Sequence, residues 1–212
     1  MPRRGRFITF EGGEGGGKST QLRLLVAALE DAGLPVLQTR EPGGAPGAEE
    51  IRRLLVEGEP GRWDAVTEAL LVSAARRDHL VKTVWPALEA GRWVVSDRFA
   101  DSTLAYQGHA GGVAQRQLMQ LYRILADKFV PDLTLILDLP PETGLARAHQ
   151  RRGAEDRFER MGLEFHRQLR DGFLEIAKRQ AQRCVVIDAT APIEAVHQAI
   201  KHAVGERLGV AL

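Results

Sequence analysis

The stretch Gly12-Gly13-Glu14-Gly15-Gly16-Gly17-Lys18-Ser19, followed by Thr20, decides the fold of this chain. It matches the pattern G-x-x-x-x-G-K-[ST] at every fixed position, and it separates an apolar run at 7–10 from an amphipathic run at 19–29. In this setting the glycines let backbone N–H groups surround a phosphate, and the N-terminus of the following helix adds partial positive charge. We therefore predict that residues 12–20 bind the phosphates of ATP, with Lys18 on the outer phosphates and the Ser19 hydroxyl on Mg²⁺.

Apolar runs and amphipathic patterns alternate on both sides of this loop. The strand candidates are residues 7–10, 36–39, 93–96, 133–139 and 185–188, which are continuously apolar, as in strands that are covered on both faces. The helical patterns cover residues 19–29, 64–90, about 114–126, 141–150 and 163–182, and a last one begins near residue 190. The alternation predicts an α/β fold of three layers, a parallel sheet with helices on both faces, in a single domain over residues 1–212.

Composition limits the partners. The net charge is +1, so the general basic field that attracts a nucleic acid polymer is absent. The sequence contains one cysteine, Cys184, and no apolar run near the roughly 18 residues that cross a bilayer. We therefore expect a cytoplasmic protein without a disulfide and without a membrane anchor.

Other residues narrow the class of phosphate-binding protein. The chain contains no asparagine, so it cannot carry the Asn-Lys-x-Asp motif with which ordinary GTPases read guanine, and its length disfavours a motor. Asp97 and Arg98 follow an apolar strand candidate, at the sheet edge where ligands of open α/β sheets bind, and Asp97 is suited to hold Mg²⁺. A cluster of arginines predicts a mobile lid at about residues 147–158 that closes over the phosphoryl group. Its members are Arg147, Arg151, Arg152 and Arg157.

A series of short motifs runs in order from about residue 5 to 190. The series is Phe10-Glu-Gly-Gly-Glu-Gly, Thr39-Arg-Glu-Pro-Gly-Gly44, Glu68-Ala-Leu-Leu71, Ala75-Arg76, Asp97-Arg98-Phe99, Asp101-Ser-Thr103, Ala105-Tyr-Gln-Gly108 and Asp156-Arg157-Phe158-Glu159. In these motifs the chain resembles bacterial thymidylate kinases. The resemblance implies a P-loop NTPase-type fold with a five-stranded parallel sheet, a homodimer, and transfer of a phosphoryl group from ATP to dTMP.

The resemblance also implies roles for individual residues. Arg98 is expected to bind the acceptor phosphate, and Glu14 to lie near that phosphate or the sugar. The catalytic arginine is expected from the lid, because residues 14–17 contain no basic side chain. The other residues expected at dTMP are Glu41 and Pro42 beside the acceptor, Tyr106 against the deoxyribose, and Arg76, Thr103 and Gln107 at the thymine edges.

Two features depart from the family pattern: the lid segment from Arg147 to Gly153 is about one residue longer than in some relatives, which leaves open which of its arginines is catalytic, and position 72 carries a valine. Val72 stands where many relatives carry an aromatic residue that stacks on thymine, so the apolar wall is kept without the stacking geometry. Alternative interpretations are a kinase for another pyrimidine nucleotide such as dUMP, a deoxynucleoside kinase, or a non-catalytic module that binds ATP as a switch.

Overall fold

A computed structural model describes residues 4–149 and 157–212 of the chain. Its strands are β1 (Phe7–Glu11), β2 (Val36–Arg40), β3 (Trp93–Asp97), β4 (Leu133–Asp138) and β5 (Cys184–Asp188). Its helices are α1 (Lys18–Asp31), α2 (Pro46–Val56), α3 (Ala65–His79), α4 (Trp85–Glu89), α5 (Ala100–Thr103), α6 (Gln115–Ala126), α7 (Pro141–His149), α8 (Leu163–Arg179) and α9 (Ile193–Leu208). Two π-helical stretches, Leu80–Val84 and Leu104–Ala110, continue α3 and α5.

The strands form one parallel sheet in the order β2-β3-β1-β4-β5. Asp97 pairs with Phe10 of β1 on one side and with Arg40 of β2 on the other. The segments that follow these three strands therefore leave the same edge of the sheet. This register confirms the predicted five-stranded sheet and brings residues 12–17, Glu41 and Arg98 together.

Helices cover both faces of the sheet, as predicted. Ile8 and Phe10 point to one face, where they pack against α1 and α9. Phe7 and Val94 point to the other face, where the helical stretch from residue 80 to 89 and α6 cover them. Successive side chains of a strand alternate between faces, so both layers are built from the same apolar runs.

The long helical pattern at 64–90 is confirmed, and its boundaries have local causes. Asp64 caps the N-terminus of α3, because its Oδ1 accepts hydrogen bonds from the backbone N–H groups of Val66 and Thr67 at 2.9 and 3.0 Å. Gly91 follows the helix with a φ of 78°, a conformation that glycine adopts without strain.

The sequence interpretation missed α2 and the helical segment from Ala100 to Ala110. Helix α2 had a signal, because Pro46 occupies its first turn, where the missing N–H costs nothing.

The predicted helix at 163–182 was too long, since α8 ends at Arg179. The end of the predicted helix at 141–150 is not tested, because residue 150 lies outside the described residues. The edge strands β2 and β5 also have exposed positions rather than continuous burial. In the described residues, no helix combines the length and apolarity that spanning a bilayer requires.

Candidate active site

The loop between β1 and α1 has a backbone conformation that larger side chains would not allow. Gly12, Gly15 and Gly17 have φ values of 122°, 69° and 81°. A Cβ on Gly15 would lie 2.0 Å from the carbonyl oxygen of Gly144 in α7, and one on Gly12 would lie 2.4 Å from that of Leu137 in β4. The glycines therefore allow the loop to curl tightly against β4 and α7 at the N-terminus of α1.

Lys18 is folded over this loop. Its Nζ donates to the carbonyl oxygens of Gly12 at 3.1 Å and Gly13 at 2.6 Å, and 8% of the residue is exposed. Burial and the nearby Arg98 guanidinium lower the pKa of Lys18 to about 8, although Glu14 among other carboxylates opposes the shift. An ammonium with only two carbonyl partners keeps the capacity to bind phosphate oxygens above the loop.

Ser19 and Asp97 meet at the same edge. The Ser19 hydroxyl donates to Asp97 Oδ2 at 2.8 Å. A hydroxyl and a single carboxylate suit Mg²⁺, which prefers oxygen ligands and usually keeps several waters and substrate phosphate oxygens. Among the described residues, no group of three or more His, Cys, Asp or Glu side chains forms an alternative metal site.

Arg98 lies directly beyond β3 and reaches toward the loop. Its Nη1 donates to the carbonyl oxygen of Gly12 at 3.0 Å and its Nη2 to Glu14 Oε1 at 2.8 Å, while the guanidinium stacks 4.9 Å above the Tyr106 ring. The Tyr106 hydroxyl donates to the same Glu14 oxygen at 2.6 Å. Burial opposes the ionisation of Glu14, but Arg98, Lys18 and this hydroxyl outweigh it and lower the pKa of Glu14 to about 2.

Glu11 supports the turn that carries Arg98, a role that the sequence interpretation missed. Its carboxyl group accepts hydrogen bonds from the Phe99 backbone N–H at 2.8 Å and from the Ser102 hydroxyl at 2.5 Å. Burial and the nearby Asp101 carboxylate raise the pKa of Glu11 to about 8. Because Ser102 also accepts from Arg98 Nη1 at 3.2 Å, Glu11 acts on the guanidinium through its neighbours.

Arg76 forms part of a second buried ion pair. Its Nε donates to Glu41 Oε2 at 2.7 Å, and its Nη2 donates to the Thr103 hydroxyl and the Phe99 carbonyl oxygen, each at 3.0 Å. His79 Nδ1 lies 2.9 Å from the other Glu41 oxygen, and all three charged or polar side chains of this group are almost fully buried. Removal of any one of them would leave a buried polar partner unpaired.

All the residues predicted to contact dTMP line one pocket, which we call the acceptor pocket. They are Glu14, Glu41, Pro42, Val72, Arg76, Arg98, Thr103, Tyr106 and Gln107. The prediction omitted further lining residues, namely Arg52, Leu55, Val56, Phe99, Ser102, Phe158 and Glu159. Phe99, Ser102, Phe158 and Glu159 stand inside motifs that were recognised, whereas the others lie on the helix α2 that was not predicted.

The acceptor pocket adjoins a cleft above the phosphate loop. The cleft is lined by residues 14–19 together with Asp97 and others, and it shares four charged side chains with the acceptor pocket. These are Glu14, Glu41, Arg52 and Arg98. A molecule in each cavity would thus meet the other at a boundary lined by charged groups.

The predicted lid is described only in part. Arg147 lies at the end of α7, and its Nη1 donates to the carbonyl oxygen of Ala189 at 3.2 Å. Arg151 and Arg152 lie outside the described residues. Arg157 is buried against α2 and α3, so the expectation that its guanidinium closes over a phosphoryl group is corrected: it is already bound to Leu55, Glu59 and Glu68.

Comparisons with known proteins agree with this geometry. The model of the family "Thymidylate kinase" matches residues 10–200. A thymidylate kinase from Caulobacter vibrioides is 56% identical over 97% of this chain and 99% of its own length, and one from a Bradyrhizobium strain is 53% identical over 100% and 94%.

Solved structures include a similar protein. The crystal structure of thymidylate kinase from Ehrlichia chaffeensis superposes with a TM-score of 0.75 at 35% identity, and it covers 95% of this chain and 99% of that chain. Sequence similarity over nearly the full length and a shared fold point to the same conclusion. The chain belongs to the thymidylate kinase family.

Proposed function

We propose that this protein transfers the terminal phosphoryl group of ATP to dTMP, which gives dTDP and ADP. One observation carries the proposal: the cleft above the phosphate loop and the acceptor pocket adjoin, and Arg98 and Glu14 line both. The phosphates of two substrates that occupy these cavities would meet beside the Arg98 guanidinium. Family membership identifies dTMP as the acceptor.

The acceptor requires no general base. The second pKa of a phosphate monoester is about 6, so dTMP is already a nucleophilic dianion at neutral pH. The obstacle is the repulsion between two polyanions, which positive charge and in-line positioning overcome. Lys18, Arg98 and the N–H groups of the phosphate loop are the cations and donors that the site offers for this purpose.

We propose that Ser19 and Asp97 hold Mg²⁺ together with the ATP phosphates. The 2.8 Å contact between their oxygens brings the two groups close enough to bind one ion. A bound Mg²⁺ would neutralise charge on the transferring phosphoryl group. The Ser19 hydroxyl could keep its hydrogen bond to Asp97, because a lone pair of its oxygen would remain available to the ion.

Arg98 is proposed to bind the dTMP phosphate. One of its nitrogen atoms, Nη2, donates a hydrogen bond to Glu14. A phosphate can take over that nitrogen, since its oxygens match the geometry of a guanidinium group. Glu14 keeps the Tyr106 hydroxyl and can then accept from the sugar.

Arg76, Thr103 and Gln107 are proposed to read the thymine edges, with Val72 and Phe158 as apolar walls. Nε and Nη2 of Arg76 are already engaged by protein groups, so among the contacts of the described residues Nη1 is the nitrogen that remains for a base carbonyl. Glu41 and Pro42 border this part of the pocket. Arg147, Arg151 and Arg152 are the proposed sources of the lid arginine at the transferring group.

We also propose a homodimer that works in the cytoplasm. Helices α3 and α6 pack side by side and expose apolar side chains, with 54% of Leu70 and 82% of Ile124 accessible. An apolar patch of this kind is typical of a protein–protein contact. The only cysteine, Cys184, is buried as a free thiol, which suits a reducing compartment.

A coupled assay of ADP release tests the proposal. The purified chain is incubated with Mg·ATP and, in separate reactions, dTMP, dUMP, CMP, UMP and AMP. We expect dTMP to be the best acceptor and Lys18→Ala to lose roughly 10²-fold or more in kcat with an unchanged circular dichroism spectrum. Turnover with none of the acceptors, or equal turnover by Lys18→Ala, would overturn the assignment.

A further inference from the structure

A buried carboxylate lies behind the acceptor pocket and has no part in the chemistry proposed above. Glu68, on α3, is 8% exposed and is not among the residues that line the pocket. Its Oε1 accepts a hydrogen bond from Arg157 Nη2, and its Oε2 accepts one from Gln107 Nε2 at 3.1 Å. Glu68 thus joins Arg157, at the end of the predicted lid segment, to a residue of the pocket wall.

Arg157 holds this carboxylate in one place. The guanidinium is 1% exposed, and its other nitrogens donate to the carbonyl oxygens of Leu55 at 2.9 Å and Glu59 at 3.2 Å. All its nitrogens are therefore engaged at the end of α2, in the loop that follows, and on α3. A carboxylate ion-paired with such a fixed cation accepts hydrogen bonds and cannot donate them.

This pairing determines the orientation of the Gln107 amide. Only the amide nitrogen can face Glu68, because the reversed amide would place its oxygen against a carboxylate oxygen. The Gln107 Oε1 is the remaining polar atom; it has no hydrogen-bond partner among the described residues, and Gln107 lines the acceptor pocket. The pocket wall therefore presents a hydrogen-bond acceptor at this point.

We propose that Glu68, held by Arg157, is the positioning residue that makes the site select bases with an N–H group at ring position 3. This inference rests on the proposed function and extends it to base selection. Thymine and uracil carry a hydrogen on N3, whereas cytosine has a lone pair there that would face the Gln107 oxygen. The orientation of one amide therefore separates dTMP and dUMP from dCMP, and it does not separate dTMP from dUMP.

The test compares acceptor selectivity in Glu68→Gln and in the wild-type enzyme. A glutamine at position 68 can donate as well as accept, so the Gln107 amide can reverse. We expect the ratio of kcat/KM for dTMP to that for dCMP to fall about tenfold, mainly through a higher KM for dTMP. The ratio of dTMP to dUMP should not change, because both bases carry the N3 hydrogen.

Two further variants separate selection from structural support. Arg157→Lys keeps a cation beside Glu68 but loses the carbonyl contacts, so it should lower Tm and retain the dTMP to dCMP ratio. If Glu68→Gln does not fold, Glu68→Asp takes its place in the test. It withdraws the carboxylate from Gln107 but keeps its charge, and it should also lower the ratio of kcat/KM for dTMP to that for dCMP.

The results identify which proposal fails. If Glu68→Gln and Glu68→Asp lower Tm while both retain the wild-type ratio, Glu68 is only a structural clamp and the inference is wrong. If the wild-type chain does not phosphorylate dTMP, the proposed function itself fails.

Discussion

Arg98 combines an unusual backbone with a central position between the two cavities. Its φ of 70° is rare for a residue with a side chain. Two hydrogen bonds fix its backbone. The Arg98 N–H donates to the Phe10 carbonyl oxygen at 2.9 Å, and the Ser96 hydroxyl donates to the Arg98 carbonyl oxygen at 2.8 Å. Such strain costs on the order of 1–3 kcal/mol and persists where the surroundings impose it. Here the turn directs the guanidinium back over the phosphate loop.

Val72 lines the acceptor pocket without offering an aromatic ring, and its contribution to dTMP binding can be tested by substitution. We expect Val72→Phe to lower the Kd for dTMP by about 2- to 10-fold, because an added aromatic contact contributes roughly 0.5–1.5 kcal/mol. Val72→Leu is the matched control, since it adds apolar volume without a ring and should leave Kd nearly unchanged. Isothermal titration with dTMP measures both.

An unchanged or weaker affinity of Val72→Phe would show that the base is stacked elsewhere. Phe158 is one side chain that could take this part, because it lines the same pocket and packs edge-on against Tyr106 at 5.3 Å. The sequence places this phenylalanine within the motif Asp156-Arg157-Phe158-Glu159, which does not by itself predict that it lines the pocket.

At the scale of single elements, α7 is a wall for the phosphate loop. Gly144 faces the loop backbone, and a Cβ at this position would lie 2.4 Å from the carbonyl oxygen of Glu14. We expect Gly144→Ala to displace the loop, raise KM for ATP several-fold and lower Tm, although alanine favours a helix. Gly162→Ala is the control, because its Cβ would meet nothing within 4 Å.

Steady-state kinetics and thermal melting distinguish these outcomes. If Gly144→Ala had the KM and Tm of the wild-type enzyme, α7 would not restrict the loop as the structure indicates. A similar rise in KM for ATP and fall in Tm in Gly162→Ala would show that an added methyl group is harmful for reasons unrelated to the loop.

The lid arginines are best tested as a set. Arg151→Ala or Arg152→Ala is expected to lower kcat by roughly 10³-fold or more with a small change in KM for dTMP, since an arginine at the transferring phosphoryl group acts in the transition state. Arg167→Ala serves as a control, because Arg167 is half exposed and pairs with Glu142 on the surface. A larger effect on KM than on kcat in both lid variants would contradict a catalytic role.

Elements with a strong pattern were predictable, and short or polar ones were not. The five strands and the long helix that Asp64 caps follow from apolar runs, periodicity and an N-cap residue. The stretch from Ala100 to Ala110 follows β3 with polar residues such as Asp101 and Ser102, whose side chains form hydrogen bonds with β4 and β1. Local sequence cannot reveal a helix that is stabilised by such long-range hydrogen bonds.

At the scale of the whole molecule, the sequence identified pocket residues better than it identified their roles. Motif order was sufficient to predict nine side chains that line one pocket. The interpretation of Arg157 was wrong because charge density near the lid does not reveal burial. Three hydrogen bonds of the buried guanidinium determine its position, and each of them joins residues about 90–100 apart in the chain.

The proposed dimer is a property of the assembled molecule. We expect the chain to have the mass of a dimer in light scattering after gel filtration, and Leu70→Glu to shift it toward a monomer, because a charge would be buried in an apolar contact. Ile193→Glu is the control: Ile193 is equally exposed, at 53%, but begins α9 on the opposite face of the sheet. A monomeric wild-type chain, or a dimer that Leu70→Glu leaves intact, would refute this interface.

The direct test of phosphoryl transfer follows the phosphate itself. The enzyme is mixed with Mg·ATP labelled at the γ-phosphate and with dTMP, and the labelled products are separated. Direct transfer across the boundary between the two cavities predicts that the label appears in dTDP at the rate of ADP release. With Lys18→Ala, neither dTDP nor inorganic phosphate should become labelled. Label that accumulates in inorganic phosphate while dTMP remains unmodified would contradict it.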